Sequence, residues 1–482
     1  MIRAGNEIRA ALIRADNRVM LHDMAGRTRT ARQLLENVDR VAGALIARGA
    51  YGGKIGLWYR NSLRAVEAFL AVEWIGGTRV PVDPHAPPAE AKEVFAAAGV
   101  DLVVADRAHA MVLETPSLIH DDDTPLSGSP TWPAAKVSPD KTLLLYPRAV
   151  NLGQLYAIPV SYANWRATMR TNIDLYESGH FGRWLGGDEC FLAAQQIMHG
   201  TGFVGTFPFL EMGLPQVLAE TFDAAAILEA IDRHRVTTTV LVPPMMSRLV
   251  DAAIQRPGAG ASLGHLIYGG APVPPDVIRR TMRCFGCVLT QGYGRIEGGW
   301  PISTLGIEEH RAILAGDDEL AASCGRPIDG VRTKLRQGDS VASDYGELCV
   351  ASEMTVKDYA DPDGWCSLGD LMRVNDAGYL FHQGRLDRMI NTGYHIYPSE
   401  VEEAIAQVPG VAAVSVVGEP SKEWGMTVVA DLVPEAGVPV DDLVDHINQA
   451  LAAKLARYKH PRRFRIVDQL PHSASSAIVS QS

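Results

Sequence analysis

Two short segments in the second half of the chain each place a carboxylate beside glycine-containing turns, a pattern that suits nucleotide chemistry. Glu297 ends the segment Gln291–Glu297 and supplies an oxygen donor of the kind that Mg²⁺ prefers. The two glycines of this segment allow a flat ligand to approach the backbone, and the face of Tyr293 can stack on a purine. Asp370 directly follows a glycine, where a carboxylate can accept hydrogen bonds from both hydroxyls of a ribose. Each segment alone also has a purely structural explanation. The first could be a glycine-rich turn with a tyrosine in the core, and Asp370 could be a solvent-exposed residue of a turn.

A longer segment, Gly378–Glu402, is more specific as a unit. It contains the pair Gly384–Arg385, then Gly393, and it closes on Pro398-Ser399-Glu400. The closing tripeptide favours a helix start, because serine can cap the first turn and an acidic residue suits the positive end of the helix dipole.

Helices and strands alternate in the segments that must position these residues. Helical spacing of apolar residues predicts helices at Ala31–Arg48, Ala65–Ile75, Ala89–Ala98 and Ala224–His234. Short apolar runs predict strands at Lys54–Tyr59, Thr78–Val82, Val100–Ala105, Thr237–Val242 and Leu266–Tyr268. This alternation predicts an α/β fold, with parallel and mixed sheets covered by helices. The last of these strands ends in Gly269–Gly270, and strand-end turns are where such sheets bind ligands.

A second, smaller unit follows the pair Gly384–Arg385. Its sequence predicts helices at Val401–Ala406 and Val440–Leu455 and strands at Val411–Val417 and Thr427–Val433. We therefore predict a large N-terminal domain at residues 1–386 and a small C-terminal α+β domain at residues 387–482.

The composition excludes several classes of protein. The chain has 482 residues, of which 47% are apolar and 21% are charged, as in an ordinary globular protein. It is neither a disordered chain, a collagen-like repeat nor a small disulfide scaffold. The net charge is −11 and no run of basic residues occurs, so we expect no nucleic acid and no membrane as partner.

The six cysteines are sparse for this length, which suits a reducing compartment. Cys284-x-x-Cys287 has no second pair at zinc-finger spacing, so core packing is the simpler explanation. The first residues contain no apolar run typical of a secretory signal. We therefore expect a cytoplasmic protein.

The order of these motifs resembles the adenylate-forming superfamily of acyl-CoA synthetases, peptide-synthetase adenylation domains and luciferases. The resemblance covers nearly the whole chain. It implies an acyl-pocket turn at Gly270-Ala271-Pro272 and an adenine and Mg²⁺ motif at Gly292-Tyr293-Gly294 with Glu297. It further implies two ribose contacts, Asp370 and Arg385, and a histidine beside the substrate carboxylate, His199. It also implies a hinge at Asp387, a pantetheine tunnel at Gly393 and a CoA-receiving stretch at Trp424 and Arg457–Lys459.

In that family ATP and a carboxylate give an acyl-adenylate, and a thiol of CoA or of a carrier protein then displaces AMP as the small domain rotates. The resemblance therefore implies His199, Glu297, Asp370 and Arg385 as catalytic residues and ATP, AMP or an acyl-adenylate as ligands. Mg²⁺ is the candidate metal, and CoA or a phosphopantetheine thiol is the co-substrate. A small carboxylic acid or activated acyl group is the expected substrate, and an acyl carrier protein is a candidate partner.

Three departures from the family pattern concern the ATP phosphates. The family's glycine-rich phosphate loop corresponds to Tyr146–Tyr156, where only Tyr146 matches and Leu155 stands at the position of the lysine. Phosphate cradles need glycines so that backbone N–H groups can converge on the oxygens. Ile296 replaces a threonine, and Ala477 aligns with the family's adenylating lysine. The adenosine, hinge and thiol features remain, so the loss is selective.

Three interpretations stay open. In the first, the protein handles an acyl-adenylate or acyl-thioester and transfers the acyl group to a thiol or an amine, with the ATP half-reaction altered or lost. In the second, it is a conventional ATP-dependent acid–CoA ligase. In the third, it is a non-catalytic pseudoenzyme that binds a nucleotide, an acyl-adenylate or a partner synthetase. Only Trp300 hints at the substrate: its bulk favours a short or aromatic acid over a long acyl chain, and a tryptophan of the protein core explains it equally well.

Overall fold

Two large sheets form the body of the N-terminal domain. In spatial order, the strands of the first sheet are Arg326–Pro327, Gly299–Leu305, Val288–Arg295, His265–Gly269, Thr238–Leu241, Phe191–Ala193, Gln216–Leu218, Val19–Asp23 and Thr28–Thr30. Those of the second are Gln154–Ser161, Thr142–Asn151, Thr78–Pro81, Lys54–Trp58, Leu102–Ala105 and Ser117–Ile119. Neighbouring strands are parallel except at the sheet edges.

These elements come from a computed structural model. It describes residues 1–122, 126, 132–133, 135–151, 154–180, 188–271, 273–338, 340–386, 389–421, 423–435, 437–468, 470 and 478–479.

Helices cover both faces of these sheets. They span Asn6–Ala15, Ala31–Ile46, Leu63–Trp74, Pro88–Ala98, Arg107–Ala110, Tyr162–Glu177, Gly200–Glu211, Ala224–His234, Pro243–Ile254, Pro275–Phe285, Ile307–Ala315 and Asp318–Ala321, with a 3₁₀ turn at Lys357–Tyr359. One apolar core contains side chains of both sheets together with the almost fully buried helix Leu63–Trp74. The two sheets are therefore held as one body.

A third, antiparallel sheet completes the N-terminal domain. Its strands, in spatial order, are Ser340–Ala342, Arg332–Gln337, Tyr345–Ala351, Cys366–Val374 and Leu380–Arg385. The short pair Ile2–Arg3 and Lys136–Val137 lies apart from it. Asp370 and Arg385 face each other across the last two strands of this sheet.

The C-terminal domain has its own core. Its sheet contains Arg463–Ile466, Gly425–Pro434, Val411–Ser421 and Ile478–Val479, and the hairpin Ile390–Asn391 with His395–Ile396 precedes it. Helices Pro398–Ala406 and Val440–Lys454 pack on the sheet, and a 3₁₀ turn spans Arg457–Lys459. The predicted α/β class with a large and a small domain is confirmed. The boundary at 386/387 stays a prediction, and Asp387 lies outside the described residues.

Candidate active site

A cavity lies where the two domains meet. The N-terminal domain lines it with the strand ends and helix starts around Asp83, Arg148, His199 and Gly270. The C-terminal domain closes it with its hairpin, the following helix and the 3₁₀ turn, through Gly393, Tyr394, His395, Tyr397, Glu400, Tyr458 and Lys459. Of the sequence-predicted residues, His199, Gly270, Gly294 and Gly393 line this cavity, whereas Glu297, Asp370 and Arg385 do not.

One part of this cavity is apolar and flat-sided. Trp165, Phe203, Trp300 and Met354 line it, and the rings of Trp165 and Phe203 lie edge to face with centroids 5.7 Å apart. Aromatic walls of this kind bury the apolar body of a ligand and favour planar groups. This region suits the acyl part of a substrate.

The predicted motif glycines are explained by Trp300. A Cβ atom at Gly292 would lie 2.7 Å from the indole of Trp300, and one at Gly294 would lie 2.8 Å from it. The sequence pointed to a flat ligand over these glycines, whereas the flat group found there belongs to the protein itself. Gly270 has a φ of +89° and lines the cavity beside the buried Ala271, and Pro272 lies outside the described residues.

His199 stands at the start of helix Gly200–Glu211 and is oriented by a partner that the sequence did not reveal. Its Nε2 lies 3.0 Å from Oδ2 of Asp83, which follows the strand Thr78–Pro81 of the second sheet. Burial would raise the pKa of Asp83, but hydrogen bonds from His199 and His85 hold it well below its usual value. The ring of Tyr394 meets the His199 ring edge to face at 5.1 Å. His199 therefore lies beside the acyl region and contacts the small domain through Tyr394.

Asp370 is ionised and surrounded by donors. The Tyr293 hydroxyl donates to Oδ2 at 2.6 Å, and the Arg385 guanidinium pairs with Oδ1. Burial alone would raise the pKa of Asp370, but the hydrogen bond from His382 and the charges of Arg295 and Arg385 hold it well below its usual value. The three residues predicted to hold the adenosine, Tyr293, Asp370 and Arg385, are thus brought together.

Glu297 lies between two guanidinium groups. Its Oε1 is 2.7 Å from a terminal nitrogen of Arg148 and accepts a hydrogen bond from Arg295 Nε at 2.9 Å. The charges of Arg295 and Arg148 outweigh the effect of burial and lower the pKa of Glu297 to about 2. Two cations at contact distance repel a third, so this setting does not suit a Mg²⁺ ligand. Among the described residues, no cluster of three His, Cys, Asp or Glu side chains offers another metal site.

The phosphate-loop segment adopts a hairpin. Strands Thr142–Asn151 and Gln154–Ser161 pair antiparallel, with Asn151 opposite Gln154. Only residues 152 and 153, which are not described, lie between the two strands. The two strands are therefore paired up to their ends, with an irregularity at Arg148, which has no opposite residue in the register.

The predicted thiol side of the site is a groove rich in arginine. Trp424 lies beside it, with the guanidinium of Arg248 5.2 Å from the indole centroid and that of Arg462 at 6.0 Å. We call the groove formed by Arg248, Trp424, Arg457 and Arg462 the arginine groove. In the described part of the chain, Arg457 and Arg462 have no carboxylate partner.

Two stacked tyrosines separate the cavity from the arginine groove. The rings of Tyr394 and Tyr458 are stacked with centroids 4.5 Å apart, and both residues line the cavity and the groove. Gly393, predicted to lie along a tunnel, precedes Tyr394 with a φ of +89°. Its N–H donates to Asn391 Oδ1, and the Asn391 amide donates to the Gly270 carbonyl of the other domain at 2.7 Å.

Lys459 connects the two domains in a way that the sequence did not indicate. Its Nζ lies 2.8 Å from Glu400 of its own domain and 2.5 Å from Glu90 of the N-terminal domain. The second oxygen of Glu90 accepts the backbone N–H of Ala456 at 2.7 Å. We call Glu90, Glu400 and Lys459 the interdomain triad. Ala477, the position of the missing lysine, lies outside the described residues.

The sequence of the chain is similar to known proteins over most of its length. The family of AMP-binding enzymes matches residues 9–150 and 153–360, and the C-terminal domain of AMP-binding enzymes matches residues 400–476. The indoleacetate–CoA ligase of Aromatoleum aromaticum is 33% identical over 323 residues, which cover 64% of this chain and 60% of that protein. The chain spans only 51% to 60% of the length of three such curated relatives.

Solved structures share the fold. The o-succinylbenzoate CoA synthetase of Bacillus subtilis, bound with its product analogue, has a TM-score of 0.83 at 23% identity, covering 98% of this chain and 96% of that one. The amide bond synthetase of Marinactinospora thermotolerans has a TM-score of 0.83 at 24% identity, covering 96% of each chain. Among the described residues, no helix has both the length and the apolar character needed to cross a bilayer.

Proposed function

Because the chain belongs to the family of AMP-binding enzymes, we propose that it joins a small planar carboxylic acid to CoA through an acyl-adenylate. One observation carries this proposal: Tyr394 and Tyr458 form a common wall of the acyl cavity and the arginine groove. Because the Tyr394 ring also contacts His199, displacement of these rings lets a thiol on a long arm reach His199 while the phosphates of the same molecule stay in the groove.

The arginine groove supports CoA over the other acceptors. Guanidinium groups bind phosphate bidentately, and exposed arginines without carboxylate partners are available for this. CoA carries three phosphates at the end of its pantetheine arm, whereas a simple amine carries none. The groove therefore suits CoA better than it suits an amine.

The aromatic walls support a planar acid. Trp165, Phe203 and Trp300 enclose the region between His199 and the motif strand Val288–Arg295. The indoleacetate–CoA ligase, a relative by sequence, is named for an acid of this planar kind. We propose aryl or short arylalkyl carboxylic acids as the substrate class.

The reaction needs two displacements in one cavity. The acid's carboxylate oxygen attacks the α-phosphate of ATP and pyrophosphate leaves. The CoA sulfur then attacks the acyl carbon and AMP leaves. His199, held by Asp83, lies beside the reacting carbonyl, while Asp370 and Arg385 fix the ribose. Placement of these groups before the reaction lowers its entropic cost.

The experiment is a screen of aryl and short-chain acids with ATP and CoA, read by mass spectrometry of the thioester. We expect a thioester with a planar acid, and we expect dephospho-CoA to be a poorer acceptor than CoA. The variant Arg462→Ala raises the KM for CoA and removes its advantage over dephospho-CoA. The exposed Arg256, paired with Glu229 on the surface, provides the control variant Arg256→Ala. Equal rates with CoA and a plain amine contradict the assignment of the acceptor.

A second candidate is transfer of an acyl group that arrives already activated. The observation that favours it is the paired hairpin Thr142–Asn151 and Gln154–Ser161, which replaces a glycine-rich phosphate loop. In this case synthetic acyl-adenylate and CoA give thioester, whereas acid, ATP and CoA give no pyrophosphate. The two candidates differ only in the first displacement.

A further inference from the structure

Arg148 and Arg295 face the cavity, and Glu297 lies behind them. Both arginines line the cavity, whereas Glu297 does not. The side chain of Glu297 is 5% exposed, and its Oε1 lies 2.7 Å from a terminal nitrogen of each guanidinium. A ligand in the cavity therefore meets two cations before it meets the carboxylate.

The cluster of Arg148, Arg295 and Glu297 has a net charge of one positive unit. Glu297 is ionised and balances one of the two guanidinium groups. His395 faces the cluster from the small domain, but burial and the charge of Arg295 lower its pKa to about 3, so it is neutral at physiological pH. Asp370 also interacts with Arg295, but it is itself paired with Arg385, so these two charges balance each other. The rings of Tyr397 and Tyr359 lie 5.7 Å and 6.0 Å from the Arg148 guanidinium. A buried charge without a counterion is unfavourable, so the site favours an anion.

Both arginines also carry donors that the described residues leave unused or weakly paired. Arg148 Nε is buried and has no hydrogen-bond partner among the described residues. Arg295 is 5% exposed and offers a terminal N–H only to the sulfur of Met389 at 3.9 Å, a weak acceptor. Both arginines thus hold donors that an oxyanion would satisfy better than the protein does.

The position of the cluster identifies the anion. Tyr293, two residues before Arg295 on strand Val288–Arg295, donates its hydroxyl to Asp370, the ribose candidate, at 2.6 Å, so the two sites are neighbours. The group next to the ribose of a nucleotide is its α-phosphate. We propose that Arg148 and Arg295, held side by side by Glu297, bind the phosphate of AMP or of an acyl-adenylate without a divalent cation. This inference rests on the proposed function, because it takes the adenosine to lie at Asp370.

The test is calorimetric titration of the whole chain with AMP and with adenosine, in EDTA and in Mg²⁺. We expect AMP to bind at least tenfold more tightly than adenosine in EDTA, and Mg²⁺ to change the AMP affinity by less than twofold. A tenfold or larger gain in AMP affinity on addition of Mg²⁺ overturns the inference but leaves the proposed function standing. Binding of neither AMP nor adenosine overturns both.

Two variants separate the roles of the residues. Arg148→Gln removes one charge and is expected to abolish most of the advantage of AMP over adenosine, while adenosine affinity stays unchanged. Glu297→Gln removes the competing carboxylate, so AMP binding in EDTA stays equal or becomes tighter. If Glu297 were a metal ligand, this second variant would lose a Mg²⁺-dependent part of the affinity, and that result refutes the inference. Arg256→Gln is the matched surface control, and thermal melting verifies that each variant is folded.

Discussion

At the scale of single residues, the site consists of charged groups whose partners lie far away in the sequence. His199 and Asp83 are 116 residues apart, and Arg148 and Glu297 are 149 apart. In each pair a carboxylate fixes the direction of a cationic or imidazole group. Such fixed groups stabilise charge without reorganising during the reaction, which is the main advantage of an enzyme site over water.

The pair of Asp83 and His199 gives the first prediction. Asp83→Asn keeps the shape but removes the charge that orients His199, so we expect kcat for thioester formation to fall by about tenfold to a hundredfold, the cost of small misplacements in an active site. The KM for CoA should not change, because the arginine groove is untouched. The control is Asp106→Asn, since Asp106 and His109 form a similar pair at 2.8 Å outside the cavity. Equal kcat values for the two variants would show that the orientation of His199 does not matter.

The sequence identified candidate site residues where they belong to a local motif. The motifs singled out His199 and Gly393, which line the cavity, and Asp370 and Arg385, which pair with each other; their functional roles stay predictions. Asp83, Arg295 and Glu90 were missed, because each acts through a side-chain partner and not through a local pattern. The sequence did place Arg295 inside the motif Gln291–Glu297, and an arginine two residues before a supposed metal ligand was the available signal.

At the scale of elements, strand Val288–Arg295 and the start of strand Gly299–Leu305 shape the acyl region together. Trp300 on the second strand lies against the backbone of the first at two glycines. The strands themselves were largely predictable from apolar runs and alternation. The packing of Trp300 on the glycines of the first strand could not be predicted, because it depends on the three-dimensional arrangement of the two strands.

The glycine at 294 provides the second prediction. A Cβ there would lie 2.7 Å from the Gly299 carbonyl oxygen and 2.8 Å from the Trp300 ring. We expect Gly294→Ala to lower the free energy of unfolding by about 1–3 kcal/mol, the usual cost of overpacking. Gly200→Ala is the control, because its Cβ would meet only Ile296 at an ordinary 3.5 Å. Urea denaturation of both variants decides the matter, and equal stability would mean that Trp300 can move away freely.

At the scale of the whole molecule, the interdomain triad holds the cavity closed. Lys459 and Glu90 are 369 residues apart in the sequence, and each belongs to a different domain. Burial would lower the pKa of Lys459, but the charges of Glu400 and Glu90 raise it well above its usual value. One ammonium thus serves two buried carboxylates.

This arrangement makes domain closure depend on pH, which is the third prediction. Burial and the charge of Glu90 raise the pKa of Glu400 despite the opposing charge of Lys459, and Glu93 adds further repulsion. The closed form therefore binds a proton more tightly than an open form, and its stability is full at low pH and lost as pH rises through the raised pKa. We expect small-angle scattering or a fluorescence distance between the domains to show more closure at pH 6 than at pH 8.

Variants of the triad separate charge from packing. Lys459→Met leaves two buried carboxylates facing each other and should open the domains, since breaking a buried ion pair costs about 3–5 kcal/mol. Glu400→Gln should keep the domains closed and remove the pH dependence. Arg465→Met, whose guanidinium pairs with Glu419 and Asp431 inside the same domain, should change neither property. A pH dependence that persists in Glu400→Gln would contradict this assignment.

Transfer of an activated acyl group to CoA in this cavity can be measured without ATP. A synthetic aryl-adenylate and CoA are mixed with the protein, and thioester and AMP are quantified over time. This reaction bypasses the ATP phosphates, so it holds for either form of the proposed function. We expect thioester and AMP in equal amounts, at a rate that falls when His199 is replaced by alanine. An aryl-adenylate that binds tightly but yields no thioester above the background rate would contradict this expectation and favour a binding protein without catalysis.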